Sequence, residues 1–372
     1  MPTPPKPAPK KAVTPAKAGA AKAPAKVTSK AVAKPAAKPA TKKGASVSAP
    51  QKTAQKAPID PQRKPIVLGS RGSLLALTQA NMVKGWLEEA NPGLVVTLEI
   101  IKTVGDTDQD TPLDAFPAMG VFVKQIQAAL QDGRIDVAVH SLKDVPEEQP
   151  EDLILAAYPP REDARDVFVS NGVRFHALPE GARVGTGSPR RILQLRALRP
   201  DLQFVALRGN VDTRLAKLEK GEVDGIVLAA AGLNRLGKNT VATHSFSFSE
   251  SIPAVGQAAL ALECRANDKV TLRAVRKLDD PETAEAVELE RQFMKAVGGG
   301  CRVPMAAHAY PYGDSFRFLA VIGDAKTGKS ARIERVLDPE DAEEEVDEIA
   351  EEILEMCRAK GLPTPKETAP RS

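Results

Sequence analysis

Apolar residues change their spacing many times along this chain, and each change predicts an element. Residues 66–69 are a short apolar run closed by glycine, which predicts a strand. Over 73–90 the apolar positions fall at helical spacing (Leu74, Leu77, Met82, Leu87), and Asn91-Pro92-Gly93 stops that helix. Residues 94–101, rich in β-branched side chains, read as a second strand, 121–130 as a helix and 135–139 as a buried strand. Strand and helix patterns alternate, so the chain opens as an α/β unit with a largely parallel sheet. A second unit starts near Asp163, with strands at 167–169, 183–185, 204–207 and 225–229 and helices at 189–198 and 213–219. Residues 257–263 read as a further strand. Near Pro281 a third unit begins with a helix to Val297. Strands at 305–310, 316–322 and 331–337 and an amphipathic helix at 341–360 complete a small α+β pattern.

The first 62 residues break this pattern. They are Lys, Ala and Pro with little else, and thirteen lysines but no acidic residue precede Asp60. Such a segment cannot bury enough apolar surface to offset its ordering entropy, so it is read as a disordered tail. It also accounts for the charge balance: the chain is +4 overall and the residues before Asp60 carry +13, so the part from Asp60 onward carries −9. Nucleic acid is therefore an expected partner only of the lysine-rich tail, through non-specific, salt-sensitive phosphate contacts. Lys and Pro in place of Arg and Ser argue against a transit peptide, and the N-terminus has no apolar core of a secretory signal. No apolar run reaches the ~18 residues of a membrane span, so no membrane partner is expected. Three cysteines at wide spacing (Cys264, Cys301, Cys357) form no disulfide framework, and four scattered histidines no metal cluster. A reducing, cytoplasmic setting is expected.

Chemistry concentrates in short glycine-containing segments. Gly185-Thr186-Gly187-Ser188-Pro189-Arg190-Arg191 carries a strand through a glycine loop into a helix, whose free N–H groups attract anions. The paired arginines add bidentate grips for carboxylates. Leu207-Arg208-Gly209-Asn210-Val211-Asp212-Thr213-Arg214 repeats the arrangement, and Arg71-Gly72-Ser73 echoes it in the first unit. One such turn reads equally well as a capped helix with solvated arginines; three at the carboxyl ends of strands favour one shared anion site. His140-Ser141-Leu142-Lys143-Asp144 ends there too, and places a carboxylate among cations, suited to stabilising a cationic intermediate; the plain alternative is a turn residue before Val145-Pro146. Cys301 lies in Gly298-Gly299-Gly300-Cys301-Arg302-Val303-Pro304, where glycines permit close ligand approach and Arg302 favours a thiolate. Cys264 and Cys357 read as inert buried thiols. Residues 323–330 match the phosphate-loop pattern GxxxxGK[ST], but an apolar alternating segment comes next instead of a long helix, so a hairpin is expected.

Taken together these segments resemble the porphobilinogen deaminase (hydroxymethylbilane synthase) family over roughly residues 64–362. The resemblance rests on eight segments in family order: 69–79, 139–146, 161–166, 184–191, 207–214, 231–237, 253–257 and Gly299-Gly300-Cys301. It implies two periplasmic-binding-protein-like (type II) α/β domains plus a small α+β C-terminal domain. The limits would be 63–161 with about 257–276, 162–256 and 277–365, after the tail 1–62. It implies a monomeric transferase of porphyrin, haem and other tetrapyrrole biosynthesis. Four porphobilinogens would add head to tail, each losing ammonia, on a dipyrromethane cofactor held by Cys301 through a thioether, before hydroxymethylbilane is released. Asp144 matches the family carboxylate that faces the azafulvenium-like cation. Arg71, Arg190, Arg191, Arg208, Arg214 and Arg235 match its carboxylate-binding cations, with Ser73, Lys143 and Ser188 as further donors. Movement of the growing chain past one aspartate implies hinge motion between domains.

The sequence departs from the family pattern at three points. Met119 stands where a loop lysine is usual, Gly187 where a serine is usual, and Ala258 where a glycine is usual. Two other readings compete: a two-lobed protein that binds anions without chemistry, and a nucleic-acid-associated protein built around the lysine tail. A pure binder needs no thiol anchor, so Cys301 discriminates against the first.

Overall fold

The structure is a computed structural model, and it describes residues 64–103, 123–299 and 303–365. The expected tail at 1–62, Met119 and Cys301 lie outside the described residues. The elements run β1 (Ile66–Ser70), α1 (Leu74–Ala90), β2 (Val96–Ile100), α2 (Lys124–Gln131), β3 (Val137–Ser141), β4 (Leu153–Ala157), β5 (Asp166–Ser170) and β6 (Arg183–Gly185). They continue with α3 (Pro189–Leu198), β7 (Gln203–Val205), α4 (Val211–Glu219), β8 (Gly225–Ala229), α5 (Ala230–Arg235), β9 (His244–Ser245) and β10 (Leu260–Arg265). The chain then forms α6 (Lys269–Val275), α7 (Pro281–Ala296), β11 (Met305–Tyr312), β12 (Ser315–Gly323), β13 (Ser330–Val336) and α8 (Ala342–Ala359).

Two five-stranded sheets share one design. The first has the order β2-β1-β3-β10-β4 and the second β7-β6-β8-β5-β9. In each, one strand runs antiparallel to both neighbours: β10 in the first and β5 in the second. The expected largely parallel sheet is therefore corrected to a mixed one. The reason is connectivity: each antiparallel strand opens one sheet directly after the chain leaves the other. Residues 158–165 carry the chain from β4 into β5, and residues 246–259 carry it back into β10. This is the α/β architecture of two like-wound lobes that the sequence suggested. A third, antiparallel sheet, β11-β12-β13, packs with α7 and α8 around Phe293, Phe318, Ile349 and Ile353. Residues 323–330 form the β12–β13 hairpin, as the absence of a helix after them required.

Local chemistry sets the helix starts. Ser73, Ser188, Asn210 and Asp280 each accept a hydrogen bond from a backbone N–H of the first turn, and Pro189 and Pro281 occupy the first position, where no N–H is missed. The sequence reading missed β4, β9, α5 and α6. Two-residue β9 is too short to show a period, and α5 comes straight after β8 with no intervening loop signal.

The expected strand at 257–263 begins only at Leu260. Residues 254–259 turn instead: Gln257 N–H donates to Ala254 O at 2.8 Å, and Ala259 N–H to Gly256 O at 3.3 Å. Gly256 has φ 67° and Ala258 φ 73°, the one non-glycine in the left-handed region among the described residues. A methyl side chain is strained there, which gives the departure at Ala258 a physical meaning. Ala258→Gly is expected to stabilise the protein by about 1 kcal/mol, read as a higher denaturant midpoint at unchanged slope. An unchanged or lower midpoint would show that the turn tolerates the side chain.

Candidate active site between the two sheets

The site is built around a buried carboxylate. Asp166 opens β5, is fully buried, and receives six hydrogen-bond contacts. Arg190 reaches it with both terminal nitrogens at 2.7 and 3.3 Å, and Arg191 with Nε at 3.0 Å and a terminal nitrogen at 2.7 Å. Ser251 Oγ donates at 2.8 Å and Gln257 Nε2 at 3.0 Å. The guanidiniums hold the Asp166 carboxyl far below the usual range against the opposing effect of burial. The expectation that Arg190 and Arg191 stand open to a ligand is thus modified. Both are buried, and each is also tied to a carbonyl, Ile252 O for Arg190 and Val227 O for Arg191. Two guanidiniums around one carboxylate still leave one unbalanced positive charge, and Arg190 lines the adjoining cleft.

That cleft, about 250 Å³, runs from the end of β3 (Leu142, Lys143, Val145) to the start of α3 (Ser188, Arg190) and on to Arg291, Val303 and Pro304. Lys143 keeps surface open to water, yet the surrounding walls crowd its ammonium. That crowding, with smaller contributions from Arg191 and Arg190, lowers its pKa to about 8, against the opposing pull of Asp144. Asp144 closes the 3₁₀ turn Leu142–Asp144 that caps β3, partly exposed beside Lys143. Among the described residues none donates a hydrogen bond to its carboxylate. Asp144 is not itself a wall of the cleft; its neighbours Lys143 and Val145 are.

The other expected cations belong to the same region. Arg214 feels Arg191 and Arg208, and burial with those like charges lowers its pKa to about 10. It is held by Gly209 O at 2.8 Å, below the left-handed Gly209 (φ 108°). Arg235, at the end of α5, donates to Ala258 O at 2.6 Å, while its Nε is enclosed without a partner. Burial lowers its pKa to about 10 as well. Arg71 lies in the turn between β1 and Ser73 and is half-buried. Ser73 and Ser188 serve as helix caps, each accepting a first-turn N–H while keeping its own hydroxyl proton to donate.

The third sheet joins through a second buried carboxylate. Glu290 of α7 accepts from Arg161 at 2.7 and 3.1 Å, from Gly256 N–H at 2.7 Å, from Ala309 N–H at 3.0 Å, and contacts His308 Nδ1 at 2.9 Å. Arg161 Nε in turn donates to Gln257 O at 2.9 Å. Both crossing segments are thus tied to α7. That helix ends in left-handed Gly298 and Gly299, and a side chain on Gly299 would collide with the Glu147 carboxylate. Residues 300–302 lie outside the described residues, but Val303 and Pro304 return as walls of the cleft. Sequence reasoning missed Asp166, Glu290, Arg161, Gln257 and Arg291 as site-forming groups. Arg161, Asp166 and Gln257 were visible only as ends of the family-matching segments 161–166 and 253–257, with no role attached.

The donor set suits a ligand rich in carboxylates: an unbalanced guanidinium pair, a crowded ammonium, an orphaned buried N–H of Arg235 and Arg214 among like charges. Two family models match the chain. That for the porphobilinogen deaminase dipyrromethane-cofactor-binding domain matches residues 66–273, and that for the porphobilinogen deaminase C-terminal domain residues 284–355. A porphobilinogen deaminase of Roseiflexus castenholzii is 49% identical over 271 residues, 73% of this chain and 89% of its own length. One from Geobacter sulfurreducens is 47% identical over 265 residues, 71% and 83% respectively. Among solved structures, a probable amino-acid transporter binding protein of Bacillus subtilis aligns at TM-score 0.33 and 11% identity, over 58% of this chain and 90% of that one. An ancestral arginine-binding protein aligns at TM-score 0.33 and 16% identity, over 58% and 91%. Asp166→Asn should leave two buried guanidiniums without their counter-charge and destabilise the protein by roughly 3–5 kcal/mol. Equilibrium unfolding measures it, and a loss below about 1 kcal/mol would remove Asp166 as the organising charge.

Proposed function

The chain belongs to the porphobilinogen deaminase family, and on that premise we propose how its residues divide the work. The enzyme is a transferase of tetrapyrrole biosynthesis that carries a dipyrromethane cofactor and polymerises porphobilinogen to hydroxymethylbilane. Bound in the site, the cofactor supplies the pyrrole end to which substrate adds.

Cys301 is the proposed anchor, through a thioether. The observation that carries this reading is the cleft itself: its walls include Val303, two residues from Cys301, and on the other side Lys143, Ser188 and Arg190. A molecule tethered at Cys301 lies within reach of those cations. Arg190 and Arg191, held rigid by Asp166, give fixed positive charge without a reorganisation cost as substrate arrives. Arg71, Arg208, Arg214 and Arg235 are the proposed further partners of substrate and cofactor carboxylates, with Ser73, Ser188 and Lys143 donating hydrogen bonds. Asp144 is the proposed catalytic group. Its carboxylate, without hydrogen-bond donors among the described residues, is open to the positive charge that develops on substrate as ammonia leaves, and attraction to that charge lowers the barrier.

The proposal extends to the domain limits 63–161 with about 257–276, 162–256 and 277–365, which three separate sheets support. A cytoplasmic location is supported by Cys264, a buried thiol in β10 outside any disulfide. No described helix is long and apolar enough to cross a membrane. A single copy holds every residue assigned here, which supports a monomer, and residues 1–62 are proposed as an accessory tail.

Intact-mass measurement tests the anchor. The purified wild type should carry an increment of two pyrrole units, and Cys301→Ser should fold without it; a loaded Cys301→Ser protein would overturn the assignment. Asp144→Ala should keep the increment but lower kcat by roughly 10²–10³-fold. Near-normal turnover would take Asp144 out of the mechanism.

A further inference from the structure

The histidines look scattered along the chain, but folding brings two of them together. His244 lies in β9, at the edge of the second sheet, and His176 in the 3₁₀ turn Phe175–Ala177. Glu250 stands between them. Its Oε1 is 2.8 Å from His176 Nε2 and 3.7 Å from His244 Nε2, and one ligand atom from each residue lies within 4.8 Å of the others. We propose that His176, His244 and Glu250 form a binding site for a divalent transition-metal ion of the zinc type, separate from the cleft.

Four features carry this. The carboxylate is aimed: Ser247 holds Oε2 through its N–H and its hydroxyl, both at 2.8 Å, which leaves Oε1 for the imidazoles. Such an outer hydrogen bond is what orients a metal-binding carboxylate. Both rings also pack on aromatic neighbours, His244 edge-on to Phe246 at 4.9 Å and His176 edge-on to Phe175 at 5.4 Å. His244 Nε2 is enclosed and has no hydrogen-bond partner, an unsatisfied ring nitrogen turned toward the carboxylate. Finally, half of the His176 side chain is exposed, so an ion and a completing water have access.

Bonds of about 2.0–2.1 Å from one zinc ion place tetrahedral ligand atoms roughly 3.3 Å apart. The separations of 2.8 and 3.7 Å bracket that value, so small rotations of exposed His176 complete the geometry. Two imidazoles and one carboxylate suit zinc-type ions, whereas magnesium and calcium take all-oxygen sets. The ion would tie β9 to the 247–250 turn, whose next residue, Ser251, bonds Asp166.

The test uses the full-length, cofactor-loaded enzyme without an affinity tag, stripped with chelator and titrated calorimetrically with zinc chloride and, separately, magnesium chloride. One zinc per chain and no magnesium is expected. His176→Ala and Glu250→Gln should each weaken zinc binding roughly tenfold or more, as should Ser247→Ala through the carboxylate it orients. His176 is half exposed, so His176→Ala should keep the metal-free melting temperature and turnover. The cobalt-substituted protein should lack thiolate-to-metal charge-transfer bands, which excludes cysteine as the ligand. Equal zinc affinity in wild type and His176→Ala, thiolate bands, or no zinc bound by wild type would overturn the site and leave a histidine–carboxylate hydrogen bond only.

Discussion

A single buried carboxylate, Asp166, organises the centre of this protein. It sits where the chain enters the second sheet, and it gathers Arg190 and Arg191 from α3 with Ser251 and Gln257 from the segment that returns to the first. A charge in that position is costly unless fully paired. Here the pairing is more than full, since two cations share it. The surplus positive charge belongs to the cleft, so the interaction that ties α3 and the returning segment to β5 is also the one that makes the neighbouring cavity attractive to anions.

Glu290 plays the corresponding part for the third sheet. It draws Arg161 and Gly256, one from each crossing segment, onto α7 beside His308. Burial raises the Glu290 pKa, but Arg161 and His308 outweigh it and bring the value down to about 2. Because α7 leads straight to Gly298 and Gly299, the helix that carries these contacts is also the one that precedes the proposed anchor in the chain. The strained φ of Ala258 lies two residues from Gly256 in the same junction, and Arg235 reaches Ala258 O.

Several features were legible in residue order alone. Helix α3 has the bounds its pattern predicted, Pro189–Leu198. The 323–330 hairpin was separable from a phosphate loop because residues 331–337 alternate with period two. The family was recognisable from eight short motifs in order, since each records a local backbone requirement or a charge at a strand end.

Other facts required the fold. Nothing in the spacing of Asp166, Ser251 and Gln257 says that they meet, because contacts over more than 80 residues arise from sheet crossing and not from local periodicity. For the same reason the paired arginines, open to ligand in the sequence reading, prove to be bound to an internal carboxylate. The antiparallel insertion of β5 and β10 was hidden too, since a buried strand has the same apolar run in either direction. His176 and His244 lie 68 positions apart in sequence, and only the edge of the second sheet sets them on either side of Glu250. Sequence by itself determined most of the elements and which chemistry the chain carries; tertiary structure decided which charges pair, because pairing depends on distance in space.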